Sequence, residues 1–231
     1  MRLLIFSDIH GNSDALDALF DKMQDFEFDK IIFCGDIFGY YYNQKKIIEK
    51  LLTLKNLVWV NGNHDEYFSK LYRGDIDAQY YIENYGHSYD HIHSVYDDDD
   101  ANIIASHSSQ AVLDVGKCKI GIFHGTPDNQ LEGRLYPNTA INNHKIYQKF
   151  DIVILGHTHC RMVRLDGSTL IINPGSLGQP RDGSGYGYCI LDTNYMSVIF
   201  GNVQFDQTRL YGQIDQYDPE LKKLKYVLER G

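Results

Sequence analysis

The sequence has few cysteines and no long apolar run. Its four cysteines, Cys34, Cys118, Cys160 and Cys189, stand singly in a chain of 231 residues, with no C-x-x-C spacing. Such usage favours reduced packing residues over a disulfide framework. No apolar run approaches the roughly 18 residues of a membrane helix, and the apolar start of the chain is too short for a secretory signal peptide. We therefore expect a cytoplasmic protein that does not enter a membrane.

Positive charge is also scarce. The 22 Lys and Arg residues are outnumbered by 31 Asp and Glu residues, so the formal net charge is −9. Long nucleic acids bind to concentrated basic surfaces, and this composition argues against such a partner. With 43% hydrophobic and 13% aromatic residues, the chain can bury one sizeable core. We expect a single domain over residues 1–231.

Short β-branched runs alternate with amphipathic patterns at the start of the chain. The runs at 3–6, 31–34 and 57–60 predict strands, and the segments 13–26 and 43–55 predict the helices between them. Strands that alternate with helices are joined by right-handed crossovers, which predicts a largely parallel sheet.

The remaining chain is less regular. Residues 66–110 predict a helical cap or insertion over the core, in which the acidic run at 97–100 is a solvated helix start. Further on, a helix is predicted over 138–149, and strands separated by turn signals predict antiparallel pairing. The tail predicts a closing helix with Asp218 as its N-cap. The chain therefore belongs to the α/β class.

Polar motifs follow five of the predicted strands. They read D-I-H, G-D, G-N-H-D, H-G and G-H-T-H. Since the carboxyl ends of neighbouring parallel strands open into one crevice, we expect these motifs to converge. Carboxylate, amide and imidazole ligands without thiolates suit manganese, iron, cobalt, nickel or zinc, and seven ligands suit two ions that share a carboxylate. The seven candidate ligands are Asp8, His10, Asp36, Asn63, His124, His157 and His159.

In order and type, these motifs resemble those of the calcineurin-like metallophosphoesterases, and most of all the small bacterial and archaeal phosphoesterases. The resemblance covers residues 3–192 and includes the segment NPGSLGQPRDG at 173–183. It implies a four-layer αββα sandwich with two mixed β-sheets. It also implies a dinuclear metal-dependent phosphoesterase that hydrolyses small phosphodiesters or phosphomonoesters, with nucleotides among the candidate substrates.

The resemblance further implies a role for each motif residue. His64 matches the histidine that faces the leaving group and either donates a proton or stabilises charge on the phosphoryl group, while a hydroxide that bridges the ions attacks. The cofactors would be two divalent ions, drawn from manganese, iron, nickel and zinc. One ion would be bound by Asp8, His10 and His159, the other by Asn63, His124 and His157, and Asp36 would bridge them.

Three residues are candidates for contact with a small phosphorylated substrate. Asn12 could touch a phosphate, although capping of the following helix explains it without a substrate and is the favoured interpretation. Arg181 could reach a phosphate with its planar fork or be a solvated surface residue. Tyr40, with Tyr41 and Tyr42, should lie at the crevice rim, where it could stack on a base or cover the apolar surface of its own loop.

Other polar residues have two interpretations. Asp65 could orient a metal-binding histidine or be an ordinary acid of a helix start. His87, His91 and His93 have ligand-like spacing, although a third metal site there is the weaker interpretation. His107 and His144 are expected at the surface. Asn173 and Ser176 are expected to serve a turn after the TLIIN strand.

The family includes three rival functions: a phosphoprotein phosphatase, a non-catalytic scaffold and a nuclease. The protein-phosphatase branch has D-R-G after the bridging acid, which supplies an Asp partner for the catalytic histidine. Gly39 stands at that position here, which counts against a phosphoprotein phosphatase. A non-catalytic scaffold resembling the retromer subunit of this fold is another alternative, as is a nuclease, but the chain retains the catalytic histidine and is acidic.

Overall fold

The computed structural model describes residues 1–90, 92–116 and 118–229, whose strands form two five-stranded sheets. The first has the order β10-β9-β1-β2-β3 and the second the order β4-β5-β6-β8-β7. The strands are β1 (Arg2–Phe6), β2 (Lys30–Phe33), β3 (Leu57–Trp59), β4 (Gln110–Val115), β5 (Cys118–Phe123), β6 (Ile152–Ile154), β7 (Arg161–Asp166), β8 (Thr169–Pro174), β9 (Tyr186–Asp192) and β10 (Ser197–Val203).

Both sheets are mixed, as expected. Strands β1, β2 and β3 are parallel, and β9 pairs antiparallel with β1 and β10. In the second sheet β5, β6 and β8 are parallel, while β4 and β7 pair antiparallel at the two edges. The expectation of antiparallel pairing after residue 160 holds for β7, β9 and β10 but is incomplete for β8, which also extends the parallel part of its sheet.

The sheets pack face to face over a core of aliphatic side chains. Ile5 and Ile32 of the first sheet and Ile122 and Ile154 of the second are fully buried in this layer. Alternate residues of the first sheet, such as Phe33, face outward onto the helices. Strands β1, β6 and β8 are therefore buried on both faces, which explains their continuous apolar sequences.

Helices cover the outer faces, and their bounds correct several expectations. The helix predicted over 138–149 shrinks to four residues, so loops cover much of the second sheet. The helix predicted over 13–26 ends at Met23, and the one over 43–55 ends at Leu52. The helices are α1 (Ser13–Met23), α2 (Gln44–Leu52), α3 (Asn63–Arg73), α4 (Gln79–Tyr85), α5 (Ile92–Val95), α6 (Asp98–Ala105), α7 (His144–Tyr147), α8 (Thr208–Tyr217) and α9 (Lys222–Leu228).

The prediction that Asp218 caps the closing helix is wrong. The tail contains two helices, and Asp218 lies between them, where its carboxylate accepts hydrogen bonds from Tyr42 and from the backbone and ring of His87. A local N-cap is therefore replaced by contacts to residues more than 130 positions away. Within the described residues, no helix is long and apolar enough to cross a membrane.

The segment over 66–110 folds as a series of short helices against the outer face of the first sheet. Phe68, Tyr89 and Tyr96 are buried in the same core as Phe33 and Phe38. The acidic run begins α6 as expected, because the Asp97 side chain accepts from the backbone N–H of Asp100. This packing brings α3, α4 and a 3₁₀ turn over the carboxyl ends of the parallel strands.

Tyr41 ties the strand-end loop to the C-terminal helix, and its removal should be measurable. The side chain is fully buried, not at the rim as predicted, and its hydroxyl donates to the carbonyl of Leu224 at 3.1 Å. We expect Tyr41→Phe to lower the free energy of unfolding by about 1 kcal/mol, because one buried hydrogen bond is lost. Urea unfolding checks this, with the exposed Tyr195→Phe as control. Equal stability of the two variants would contradict the proposed role of this contact.

Candidate metal centre and substrate pocket

The loops that follow the parallel strands are joined to one another by backbone hydrogen bonds. The N–H of Asp8 donates to the carbonyl of Gly35 at 2.9 Å, and the N–H of His10 donates to the carbonyl of Asp36 at 3.0 Å. Within the second sheet, the N–H of Gly156 donates to the carbonyl of His124 at 2.8 Å, and across the two sheets the N–H of Gly178 donates to the carbonyl of Asp8 at 3.0 Å. The polar motifs of both sheets therefore meet in one rigid network at the strand ends.

Backbone strain is concentrated in these loops. Positive φ is uncommon for residues other than glycine. It costs about 1–3 kcal/mol for each residue and persists only where the surrounding structure imposes it. Residues held this way cluster at functional sites, because there a side chain must point in one required direction. The candidate ligands with positive φ are Asp8 (55°), His10 (49°), Asp36 (65°), His157 (63°) and His159 (57°).

The structure brings all seven candidate ligands together, and each is buried. Three of the histidines are held by the ring nitrogen that faces away from the centre. Nδ1 of His10 donates to the carbonyl of Phe38, Nδ1 of His124 to that of Cys34 and Nδ1 of His159 to that of Gln179, at 2.6–2.7 Å. Because the carbonyl oxygens are acceptors, a neutral ring in each case has its lone pair on Nε2, which is aimed at the centre. The exposed fractions of the seven are 0% for Asp8, His10 and His124, 1% for Asp36, 5% for Asn63, 6% for His157 and 2% for His159.

The first group of acceptor atoms contains Asp8, His10 and His159. Nε2 of His10 lies 3.0 Å from Nε2 of His159, and Oδ1 of Asp8 lies 3.3 Å from the latter nitrogen. Lone pairs that face each other at this distance repel unless a cation or a proton lies between them. The group therefore has the electronic character of a cation site.

The second group repeats this arrangement around Asp36. Its Oδ2 lies 3.3 Å from Nε2 of His124 and 3.6 Å from Nε2 of His10, so that the carboxylate stands between both groups. Oδ1 of Asn63 lies 3.0 Å from Nε2 of His124. A ligand shared by two such groups is the arrangement that a bridging carboxylate requires.

The remaining oxygens of these carboxylates support a metal site. Oδ1 of Asp8 and Oδ2 of Asp36 are buried without a hydrogen-bond donor among the described residues. Buried polar atoms are almost always satisfied, so such atoms need a partner of another kind. Three sets have ligand atoms within 4.8 Å of one another and could hold a metal ion: Asp8 with His10 and His159; Asp36 with His124 and His157; and His10 with Asp36 and His64.

The ionisation of the centre follows from burial and from Asp36. Burial lowers the pKa of His10, His64 and His157 to about 3, so these rings are neutral and each has one ring nitrogen with a lone pair. Burial also lowers the pKa of His124, but the charge of Asp36 outweighs this and raises it to about 10. Burial would raise the pKa of Asp36, but His124 holds it well below its usual range. Negative charge at the centre of the two groups thus attracts positive charge.

Asp65 supports the loop that contains Asp36. Its carboxylate accepts hydrogen bonds from the backbone N–H groups of Asp36, Ile37, Phe38 and Gly62, the first two at 2.9 and 2.8 Å. Asp65 therefore acts as an acid of the helix start, because it accepts from the N–H of Gly62, the N-cap of α3. It also fixes the Asp36 loop, but it does not contact a histidine ring as the other interpretation required. Sequence periodicity gives no sign of this contact between loops.

Asn173 and Ser176 do more than serve a turn. The amide of Asn173 donates to the carbonyl of Gly156 at 2.6 Å, and the hydroxyl of Ser176 donates to the carbonyl of Asp8 at 2.7 Å. Asn173 lies near the end of β8 and Ser176 just after it, so this end of the strand holds the loops of Asp8 and His157. The polar side chains of these two residues are explained by these backbone contacts.

A pocket of about 80 Å³ opens beside the centre, and loops from both sheets line it. His64 lies on its wall, at the start of α3, 5% exposed. Tyr67 of α3 and Tyr85 of α4 form the side contributed by residues 66–110. The lining residues are Asp36, Tyr40, Asn63, His64, Tyr67, Tyr85, Glu132, Arg134, His157, His159 and Arg181.

Of the three candidate substrate contacts, two line this pocket. A terminal nitrogen of Arg181 donates to the hydroxyl of Tyr40 at 3.0 Å, and the guanidinium lies over that ring at 5.7 Å. Asn12 is 1% exposed and does not line the pocket: its side chain caps α1 through the N–H of Ala15 and donates to the carbonyl of Gly178. The capping interpretation of Asn12 is therefore confirmed.

Arg134 is a pocket residue that the sequence analysis missed. Its Nε donates to Nε2 of His157 at 3.0 Å. It lies in an irregular stretch after β5, where no strand-end motif marks it. A lone arginine in a loop has no signal that separates it from surface arginines, so only the fold could reveal it.

The remaining histidines lie apart from the centre. His87 is bonded to Asp218, and His93 packs on Tyr72 with ring centroids 4.7 Å apart, so neither forms a metal group within the described residues. His91, the third member of that expected cluster, lies outside the described residues. His144 is exposed as predicted, whereas the expectation was wrong for His107, which is half-buried and stacks on Trp59 at 4.0 Å.

The family model of the calcineurin-like phosphoesterase superfamily domain matches residues 1–196 of this chain. The chain belongs to this superfamily. The resemblance inferred from the motifs is therefore confirmed at the level of the superfamily.

Similar proteins extend over the whole chain. An uncharacterized protein of Methanocaldococcus jannaschii is 26% identical over 230 residues, covering 92% of this chain and 91% of its own length. The solved structure of a metallophosphoesterase from Sphaerobacter thermophilus is 23% identical with a TM-score of 0.74, and covers 100% of this chain and 98% of its own. That of a hypothetical protein from Pyrococcus horikoshii OT3 is 16% identical with a TM-score of 0.81, and covers 98% and 97%. These two structures establish that the fold is shared.

Proposed function

We propose that the protein is a dinuclear metal-dependent phosphoesterase that hydrolyses small phosphomonoesters or phosphodiesters, with nucleotides as candidate substrates. The observation that carries the proposal is the pair of acceptor groups that share Asp36. Buried carboxylate oxygens and imidazole Nε2 atoms face one another there at 3.0–3.6 Å. A bound cation would satisfy these facing atoms and offset the backbone strain of the loops that hold them.

Each group supplies ligands of the types that manganese, iron, nickel and zinc accept. When bound, two divalent cations would lower the pKa of a water molecule from 15.7 towards about 7 and neutralise the phosphoryl oxygens. Asp36 would fix the spacing of the two positions through Oδ2, while its Oδ1 accepts from the N–H of His64 at 2.9 Å. The first position would use Asp8, His10 and His159, and the second Asn63, His124 and His157.

The pocket beside the centre supports a small phosphorylated substrate. Its volume of about 80 Å³ suits a phosphate group whose organic part stays outside. Arg134 and Arg181 each present a planar fork of five N–H donors, more than their contacts to His157, Tyr40 and Gln179 use. A net charge of −9 argues against long nucleic acid, and a cytoplasmic location remains a prediction.

Metal analysis and hydrolysis assays test this proposal together. We expect protein purified without chelator to contain divalent metal, approaching two ions per chain on reconstitution, and to hydrolyse bis- or mono-p-nitrophenyl phosphate with manganese, nickel or zinc. Dialysis against a chelator should abolish the hydrolysis and added metal should restore it. Comparison of the two esters and then of a nucleotide panel identifies the preferred class.

The same experiment separates the rival functions. Protein that binds no divalent metal and hydrolyses neither ester would overturn the proposal in favour of a non-catalytic scaffold. Turnover restricted to duplex DNA or to phosphopeptides would overturn it in favour of a nuclease or a phosphoprotein phosphatase.

A further inference from the structure

The partner of His64 comes from the segment that covers the strand ends. Tyr89 ends the 3₁₀ turn His87–Tyr89 and is fully buried. Its hydroxyl oxygen lies 2.7 Å from Nδ1 of His64, with the two rings nearly parallel at an angle of 13°. The opposite end of the imidazole, with Nε2, is therefore the end available to the pocket that His64 lines.

A side chain at position 39, in the Asp36 loop, could not take this place. Gly39 has a φ of +84°, and a Cβ built on it would lie 2.5 Å from Nδ1 of His64. Any larger residue would push the ring away. The chain therefore leaves this side of the imidazole to a residue that approaches from farther off.

Aromatic packing holds the tyrosine in position. Tyr85 meets the His64 ring edge-on at 4.6 Å and packs against Tyr89 at 6.3 Å, while Tyr81 packs against Tyr89 at 5.9 Å. A buried side chain enclosed in this way has little freedom to move its hydroxyl out of reach of His64.

The direction of the hydrogen bond decides what Nε2 can do. The hydroxyl of Tyr89 has one proton to donate: the carbonyl of His64 can accept it at 3.3 Å, but Nδ1 of His64 is the nearer acceptor at 2.7 Å. If the hydroxyl donates to Nδ1, a neutral ring must have its proton on Nε2. Nε2 is then a hydrogen-bond donor towards the pocket, whereas the neutral rings of His10 and His159 present lone pairs because their Nδ1 atoms donate to carbonyls.

We propose that Tyr89 is the positioning residue of His64, donating to Nδ1 so that Nε2–H points into the pocket as a fixed hydrogen-bond donor to the phosphoryl group. The inference rests on the proposed function for the role of His64. It selects charge stabilisation over proton transfer, since a neutral imidazole that gave up its Nε2 proton would become an anion. A fixed neutral donor of this kind needs no reorganisation during the reaction.

A double-mutant cycle tests the coupling. We expect His64→Ala to lower kcat for bis-p-nitrophenyl phosphate about 10²–10³-fold, the range for loss of one such donor. Tyr89→Phe should lower kcat about 10-fold or more with KM little changed, because the interaction strengthens in the transition state. In the His64→Ala background, Tyr89→Phe should have no further effect. An equal loss in both backgrounds would mean a merely structural role and overturn the proposal.

The matched control is Tyr96→Phe. Tyr96 is a second buried tyrosine of the same segment, 6% exposed, whose hydroxyl bonds to Gln44 at 3.4 Å. We expect its kcat to stay within about twofold of the parent, because the hydroxyl does not contact His64. An equal loss of activity in Tyr89→Phe and Tyr96→Phe would likewise overturn the proposal.

A second measurement does not depend on activity. Long-range ¹H–¹⁵N spectra of the metal-free protein, assigned with the His64→Ala variant, should show His64 protonated on Nε2 and unprotonated on Nδ1. His10 and His159 should show the opposite pattern, and Tyr89→Phe should change the His64 signals alone. A proton on Nδ1 of His64 would overturn the positioning role. If the parent hydrolyses no ester with any metal, the proposed function fails, and these spectra still decide the role of Tyr89.

Discussion

Replacing Asp36 by Asn should abolish metal-dependent hydrolysis and leave the fold intact. Oδ2 of Asp36 stands between the two acceptor groups, at 3.6 Å from Nε2 of His10 and 3.3 Å from Nε2 of His124. The substitution removes the negative charge shared by both candidate ion positions. We expect kcat/KM to fall by at least about 10³-fold, the upper range for loss of one electrostatic contact, since both positions are affected.

The choice of asparagine separates charge from shape. Residue 36 has a φ of 65°, which Asn adopts more readily than most residues. Its side-chain oxygen can still accept from the N–H of His64. Thermal unfolding of the metal-free variant should therefore stay within a few degrees of the parent, whereas metal content per chain should fall. This combination would assign the loss of activity to the missing charge.

The control for this variant is Asp17→Asn. Asp17 is a carboxylate at the surface that pairs with Lys46 at 2.6 Å, and we expect its removal to leave hydrolysis unchanged. Full activity of Asp36→Asn with two ions bound would end the assignment of Asp36 as the shared ligand.

The local sequence predicted the parts of the centre that lie at strand ends. A polar residue placed immediately after a buried parallel strand must emerge at the sheet's carboxyl edge, and Asp8, Asp36 and His124 obey this rule. Strand order then brings them together, because β1 and β2 are neighbours in one sheet and β5 lies in the sheet packed against it. The distances between the groups could not be predicted, since they depend on sheet packing.

The parts that could not be predicted depend on contacts between distant segments. Arg134 reaches the pocket and Tyr89 reaches His64 from stretches without a motif, and their approach is set by the packing of loops and short helices. Asp218 looked like a helix cap because its local sequence fits one, but its carboxylate instead bonds to Tyr42 and His87. Local patterns therefore predict which strand-end residues converge, but not the distant residues that contact them.

The largest effect on stability is expected for Asp65→Asn. The carboxylate of Asp65 is fully buried and accepts from four backbone N–H groups, two on each oxygen. Replacing one oxygen by NH₂ sets a donor against two donors, so two buried N–H groups lose their acceptor. At about 1–3 kcal/mol for each unsatisfied group, we expect the free energy of unfolding to fall by about 2–6 kcal/mol.

The same variant should lose activity at temperatures where it remains folded. Three of the four N–H groups belong to residues 36–38, so Asp65 fixes the left-handed backbone that aims Asp36 between the two acceptor groups. Urea unfolding and metal affinity check the two effects separately. Glu66→Gln, next in the chain and paired with Lys70 across a helix turn at 3.4 Å, should change neither by much. If Asp65→Asn matched Glu66→Gln in both measurements, Asp65 would not be the residue that holds the Asp36 loop in its strained, positive-φ conformation.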